Sequence, residues 1–207
     1  VKNGDGISRN PLRRLEEDLD ILPFPDRAIF DRRHIDLKYP GTAILTSRGC
    51  PFHCSMCLNH YLQKLYKGLG NYTRFRSVEN LFQEIQSIRE QYRVQRLFFI
   101  DDTFTINHAR LEEFCQRYGK EVDLPFLIMG RCNTITRDLI DKLAKAGCVY
   151  IGFGVESGNP HIRNDILNRG MDETKIVDAF KWSKEAGIKT ASYNMLGIPG
   201  ETRGMMF

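Results

Sequence analysis

From residue 42 onward the chain alternates short β-like apolar runs with longer stretches whose apolar residues recur every three or four positions. The short runs cover 43–46, 96–100, 126–130, 149–155 and 190–196. Four helix faces lie between or beside them: Leu81, Ile85, Ile88 and Tyr92; Leu111, Phe114 and Tyr118; Leu139, Leu143 and Ala146; Ile176, Ala179, Phe180 and Ser183. Such alternation points to parallel βα units, because parallel neighbours need a long crossover and a helix is the usual one. Ser77, Asn107, Thr136 and Asp172 are expected N-caps, and Gly119, Gly147 and Gly187 expected stops. Lys145-Ala146-Gly147 before one strand recurs as Glu185-Ala186-Gly187 before the next, which implies a repeated unit. About five βα units in a row make either an open doubly wound sheet or a parallel barrel, and in both the chemistry sits beyond the C-terminal strand ends.

The remaining bulk properties narrow the class. With 207 residues, 42% of them hydrophobic and 27% charged, the chain can build one substantial core. A net charge of +4, with both signs mixed along the sequence, gives no nucleic-acid-binding stripe. No apolar run approaches the roughly 18 residues of a membrane span, and the first residues lack a signal-peptide core, so a cytoplasmic protein is expected. Residues 1–40, with the turn-prone Leu22-Pro23-Phe24-Pro25-Asp26 and one short amphipathic stretch over 12–19, read as a connector into a domain at 41–207. The first residue is not Met and the chain stops at Met205-Met206-Phe207, so a fragment of a longer protein is expected.

Directly after the first strand come Cys50, Cys54 and Cys57, spaced Cys-x-x-x-Cys-x-x-Cys. Thiols this close in a chain without secretory features favour a metal over disulfides. Three thiolates can hold three corners of an iron–sulfur cube, and with no fourth cysteine nearby one iron stays open to another ligand. The alternative is a structural zinc site completed by His53 or His60. Cys115, Cys132 and Cys148 are scattered through regular structure and read as small buried hydrophobes.

The later strand ends carry further candidates. Asp101 and Asp102 close the second strand, where they either meet a ligand or cap the next helix. Arg131, after the third, either clamps a carboxylate or makes a surface ion pair. In Gly154-Val155-Glu156-Ser157-Gly158 a carboxylate and a hydroxyl stand between glycines that let a ligand approach the backbone. Gly197, Ile198 and Glu201 belong to a Gly-Ile-Pro-Gly-Glu turn after the fifth strand.

In this order, these elements resemble the radical S-adenosylmethionine (SAM) superfamily. The resemblance implies a partial (β/α)6 parallel barrel, C-terminally truncated, with a 4Fe-4S cluster on Cys50, Cys54 and Cys57. In that superfamily the open iron binds SAM, and an electron from the cluster breaks a carbon–sulfur bond to give a 5′-deoxyadenosyl radical. Met56 stands where the family often has an aromatic residue near the adenine. Asp101-Asp102-Thr103-Phe104 resembles a subgroup's Asp-Asp-x-Phe, Gly154 to Gly158 a SAM contact, and Gly197 to Glu201 the segment against the adenine. Residues 18–25 and 46–51 are similar to the join between a cobalamin-binding domain and the radical domain. This implies a cobalamin-dependent methyltransferase or cyclase as the parent enzyme, served by an external electron donor such as flavodoxin or ferredoxin. Its substrate is not legible, and the cobalamin motif Asp-x-His-x-x-Gly is absent from this chain. The alternative function is a non-catalytic zinc- or cluster-stabilised binding module.

Overall fold

The computed structural model describes residues 2–3, 6–7, 9–29 and 41–206. Its centre is a five-stranded parallel sheet of β1 (Thr42–Ile44), β2 (Leu97–Phe99), β3 (Phe126–Gly130), β4 (Cys148–Glu156) and β5 (Lys189–Asn194). The strands neighbour one another in sequence order, each parallel to the last. A doubly wound sheet reverses its order at a switch point; this one never does, so the topology is that of a partial parallel barrel. No closed barrel forms among the described residues, with β1 and β5 at its two edges.

Period-two patterning decides which face is covered. Ile44, Leu97, Phe99, Phe126, Ile128, Ile151, Phe153 and Val155 are buried in one core beneath the helices. Those helices are α2 (Val78–Gln91), α3 (His108–Glu121), α4 (Arg137–Lys145) and α5 (Glu173–Glu185), while α1 (Leu58–Leu65) and α6 (Arg203–Met206) lie outside that stack. Phe82, Phe99, Phe104, Phe114, Tyr118 and Phe126 form an aromatic nucleus, mostly edge-to-face. On the opposite face of the sheet, Gly152 lies against Tyr193 and Met129 of the flanking strands.

The helix starts follow the sequence closely. Ser77, Asn107, Thr136 and Asp172 each accept a hydrogen bond from a first-turn amide, two or three residues on. Gly147 and Gly187 follow α4 and α5 with φ of 103° and 78°, the left-handed conformation that lets a helix end there. Gly119 is no stop: α3 runs on to Glu121 and the chain turns at Asp123, with φ of 49°. The fifth strand ends at Asn194, two residues before Leu196. The stretch 12–19 holds no α-helix; a 3-10 turn spans Leu19–Ile21. Helix α1 was not among the expected helices, although Leu58, Tyr61, Leu62 and Leu65 recur at helical spacing; none of its residues is buried.

Residues within 16–27 are docked onto the first βα unit. Glu17 accepts from the Asn71 amide and side chain, both at 2.8 Å, and Asp20 accepts from the Ser77 amide at 2.9 Å. Glu84 of α2, 2% exposed, pairs with Arg27 at 2.8 Å and with Arg76. Two guanidiniums on one buried carboxylate satisfy a charge that would be costly alone.

Candidate active site

The loop after β1 is fixed at several points before any cysteine is considered. Ser47–Arg48 pairs antiparallel with Arg74–Phe75. Gly49 has φ of 81°, and a Cβ there would stand 2.3 Å from the Tyr72 carbonyl oxygen, so only glycine fits. Gln63 of α1 donates to the Cys50 and Phe52 carbonyls at 2.7 and 3.1 Å. Cys57 is the N-cap residue of α1.

Cys50, Cys54 and Cys57 line one cavity of about 180 Å³. Its other walls come from strand ends: Asp102 and Thr103 after β2, Arg131 after β3, Gly154 and Glu156 of β4, and Tyr193 of β5. Arg169 enters from the loop beyond β4. Arg131 and Arg169 each bring an Nη1 to 3.4 Å from Cys54 Sγ. Asn59 Nδ2 stands 3.7 Å from Cys57 Sγ, and Cys50 Sγ lies 3.8 Å from Thr103 Oγ1. Burial pushes the Cys50 thiol above its usual range, opposed by hydrogen bonds from the Phe52 amide and Thr103.

The two adjacent aspartates part company. Asp102 is exposed and faces the cavity. Asp101 is buried and accepts from Thr46 N at 3.0 Å, Thr46 Oγ1 at 3.1 Å and Ser47 Oγ at 2.5 Å. Its carboxylate is spent tying the end of β1 to the end of β2, and it does not line the cavity. Of the two, only Asp102 is placed to meet a ligand there.

Arg131, considered above as a carboxylate clamp or a surface ion pair, is 4% exposed and aimed at Cys54. Its guanidinium lies over the Phe52 ring at 4.0 Å, a cation–π contact. Burial holds its pKa down, the neighbouring Arg169 adds to that, and Cys54 opposes both. Glu156 takes φ of 71° at an irregularity in the β4–β5 pairing, which turns its side chain into the site. Burial raises its carboxyl pKa, opposed by Arg169 and Arg131. Ser157 lies behind it, buried, accepting from the Asn159 amide at 3.2 Å and off the cavity wall.

A second group forms beside the cavity. Ile198 packs with Ile162 and Leu167, and Met56 joins them from the cysteine loop. Glu201 braces that turn by accepting from the Gly197 and Ile198 amides at 2.8 and 3.2 Å. Met56 and Ile198 thus share one apolar cluster, while Gly197 and Glu201 shape the turn and do not reach the cavity. Ser55, through its amide and hydroxyl, and Asn168, donating to the His53 carbonyl, bind the cysteine loop to the 166–168 segment just before Arg169.

The residues suit a cluster better than a single ion. Neither His53 nor His60 lines the cavity, and no three His, Cys, Asp or Glu side chains among the described residues converge on one metal ion. Cluster cysteines bind separate irons and need no such convergence. Arg131 and Arg169 form a half-finished electrostatic arrangement that a metal-bound Cys54 thiolate, always ionised, completes.

The sequence model of the Radical SAM superfamily matches residues 44–206. The chain belongs to this superfamily. It is 30% identical over 205 residues to an uncharacterized methyltransferase of Pyrococcus horikoshii, covering 98% of this chain and 43% of that protein. It is 27% identical over 209 residues to the anaerobic magnesium-protoporphyrin IX monomethyl ester cyclase of Cereibacter sphaeroides, covering 97% of this chain and 33% of the cyclase. Among solved structures, the radical SAM methyltransferase TsrM of Kitasatospora setae, with cobalamin and a [4Fe-4S] cluster bound, superposes with a TM-score of 0.64. That match has 21% identity and covers 79% of this chain and 32% of TsrM, so it speaks to the fold. This radical SAM chain spans less than half the length of these relatives.

Arg169 escaped the sequence reading altogether. Only the Asn168-Arg169-Gly170 turn, with φ of 50° and 54° on either side of the arginine, hints that the chain is bent to deliver that side chain.

Proposed function

We propose that this chain is the catalytic core of a cobalamin-dependent radical SAM methyltransferase acting on an unactivated carbon. The observation that supports it most is the convergence of three cysteine sulfurs, two guanidiniums and two carboxylates on one cavity at the C-terminal end of the sheet. A purely structural metal site has no need of that many polar groups aimed inward. When bound, a 4Fe-4S cluster supplies an electron to SAM held at its open iron, breaking a carbon–sulfur bond.

The chain's own residues then divide the work. Cys50, Cys54 and Cys57 hold three irons. Asp102 and Glu156 face the place where the SAM ammonium group would sit and accept its hydrogen bonds. Met56 and Ile198 offer an apolar surface for the adenine, and the Met56 sulfur suits contact with an aromatic face. Tyr193 lines the β5 side of the cavity. Cobalamin, the substrate and a flavodoxin- or ferredoxin-type electron donor are the further partners this reading requires. Three free cysteines gathered in one loop fit a reducing, cytoplasmic setting; no described helix is long and apolar enough to cross a membrane.

The test is anaerobic turnover of the full-length enzyme with a strong reductant, cobalamin and SAM labelled in its methyl group. The expected outcome is 5′-deoxyadenosine together with label on cobalamin. Deoxyadenosine without labelled cobalamin points to the ring-forming branch of the relatives. Neither product overturns the proposal.

A further inference from the structure

The three sulfurs are not served equally. Cys54 takes two cationic donors, Arg131 Nη1 and Arg169 Nη1, each at 3.4 Å. Among the described residues Cys50 and Cys57 have neutral partners: the Phe52 amide and the Thr103 hydroxyl, 3.8 Å away, for Cys50, and the Asn59 side-chain amide at 3.7 Å for Cys57. Asp102 also stands on the Cys50 side, adding negative charge there. The site is therefore polarised, cationic at one corner and anionic at another.

Both arginines are locked from behind. Arg131 Nε donates to Asn133 Oδ1 at 2.7 Å, and Phe52 stacks on the guanidinium. Arg169 Nη2 donates to the Gly154 carbonyl and lies 3.8 Å from Glu156 Oε1. Gly154 makes room for it: a Cβ there would stand 3.0 Å from Arg169 Nη2 and 2.7 Å from Glu156 Oε1. Arg131 is buried and Arg169 partly so, and two guanidiniums held side by side repel each other. Glu156, 3.8 Å from Arg169, offsets part of that charge, and an anionic sulfur between the two would offset more. An N–H donor on a cluster sulfur draws off electron density and stabilises the reduced, more negative state.

Resting on the cluster assignment proposed above, we infer that Arg131 and Arg169 act as a pair on Cys54 to raise the reduction potential of the cluster. The step they would bear on is the transfer of one electron from the external donor to the cluster, with no proton moved and no bond broken. The pair are tuning residues, and they act without touching the transferred group.

The experiment is an EPR-monitored redox titration of the full-length enzyme, reconstituted anaerobically and without SAM. Arg131→Gln and Arg169→Gln are each expected to shift the reduction equilibrium roughly tenfold toward the oxidised cluster, a midpoint about 59 mV lower for one electron. Arg169→Lys, which keeps the charge and loses the fork, is expected to recover about half of that. Gly154→Ala, which crowds Arg169 without altering any charge, moves the midpoint the same way by less. If a Gln variant fails to retain iron, Arg169→Lys and Gly154→Ala carry the comparison. Intact clusters whose midpoints all match the wild type overturn the inference, including the case in which only SAM affinity falls and the arginines prove to be ligands of SAM alone. A wild-type enzyme that takes up no cluster fails the cluster assignment instead.

Discussion

Six cysteines fall into two sets of three, and burial does not tell them apart. Cys50 and Cys54 in the loop are 9% and 4% exposed; Cys132 and Cys148 in the core are 0% and 5%. Hydrogen-bond direction does. Cys54 and Cys57 accept, from two guanidiniums and an amide. Cys148 donates, its thiol reaching the Tyr150 carbonyl at 3.6 Å. A sulfur that accepts from cations is prepared to be a thiolate or a metal ligand; one that donates to a carbonyl among Phe and Ile side chains is a small hydrophobe with a weak polar handle. Burial also pushes the Cys132 and Cys115 thiols up to about 11 and about 12. The difference between a site and a core here lies in the neighbours each sulfur is given.

The sharpest way to break this contrast is Cys54→Ala, which should abolish iron retention after anaerobic reconstitution, whereas Cys132→Ala should leave iron content unchanged. Next in size is Asp101→Ala. It strands the Thr46 amide and the Thr46 and Ser47 hydroxyls at the base of the cysteine loop, and should cost about 3 kcal/mol in denaturant unfolding. Asp102→Ala, one residue on and exposed, should cost less than about 0.5 kcal/mol while weakening SAM binding. Cys148→Ser places a hydroxyl in the apolar core and should cost about 1.5 kcal/mol with normal iron uptake. The smallest effect concerns reactivity. Cys132 is fully buried and burial pushes its thiol up to about 11, so near pH 8 alkylation of the cluster-free protein should leave Cys132 essentially unlabelled while Cys57 reacts. Equal labelling of Cys132 and Cys57 near pH 8, followed by mass spectrometry, would erase the distinction.

Much of the scaffold was legible because strands and helices carry different periods. The five strands and the four N-caps Ser77, Asn107, Thr136 and Asp172 are local features, readable from a few neighbouring residues. The sheet order was not, since a doubly wound sheet and a barrel share the same alternation. Helix α1 was missed although Leu58, Tyr61, Leu62 and Leu65 form an apolar stripe at helical spacing; it starts directly on the last cysteine of the loop, and none of its residues is buried. In the site, the three cysteines, Asp102, Arg131 and Glu156 were legible as chemistry at strand ends. Arg169 was not, because it arrives from mid-loop through a gap left by Gly154, a coincidence in space without a signature in spacing. Asp101 looked like its neighbour Asp102; only the hydroxyls of Thr46 and Ser47, far away in sequence, show which carboxylate is structural.

The most direct measurement is iron and acid-labile sulfide content of the anaerobically reconstituted chain, joined to its EPR spectrum after reduction. The expected result is about four irons and about four sulfides per chain, with a signal that changes on adding SAM. One zinc per chain, no labile sulfide and no signal would contradict the assignment of Cys50, Cys54 and Cys57 to a cluster.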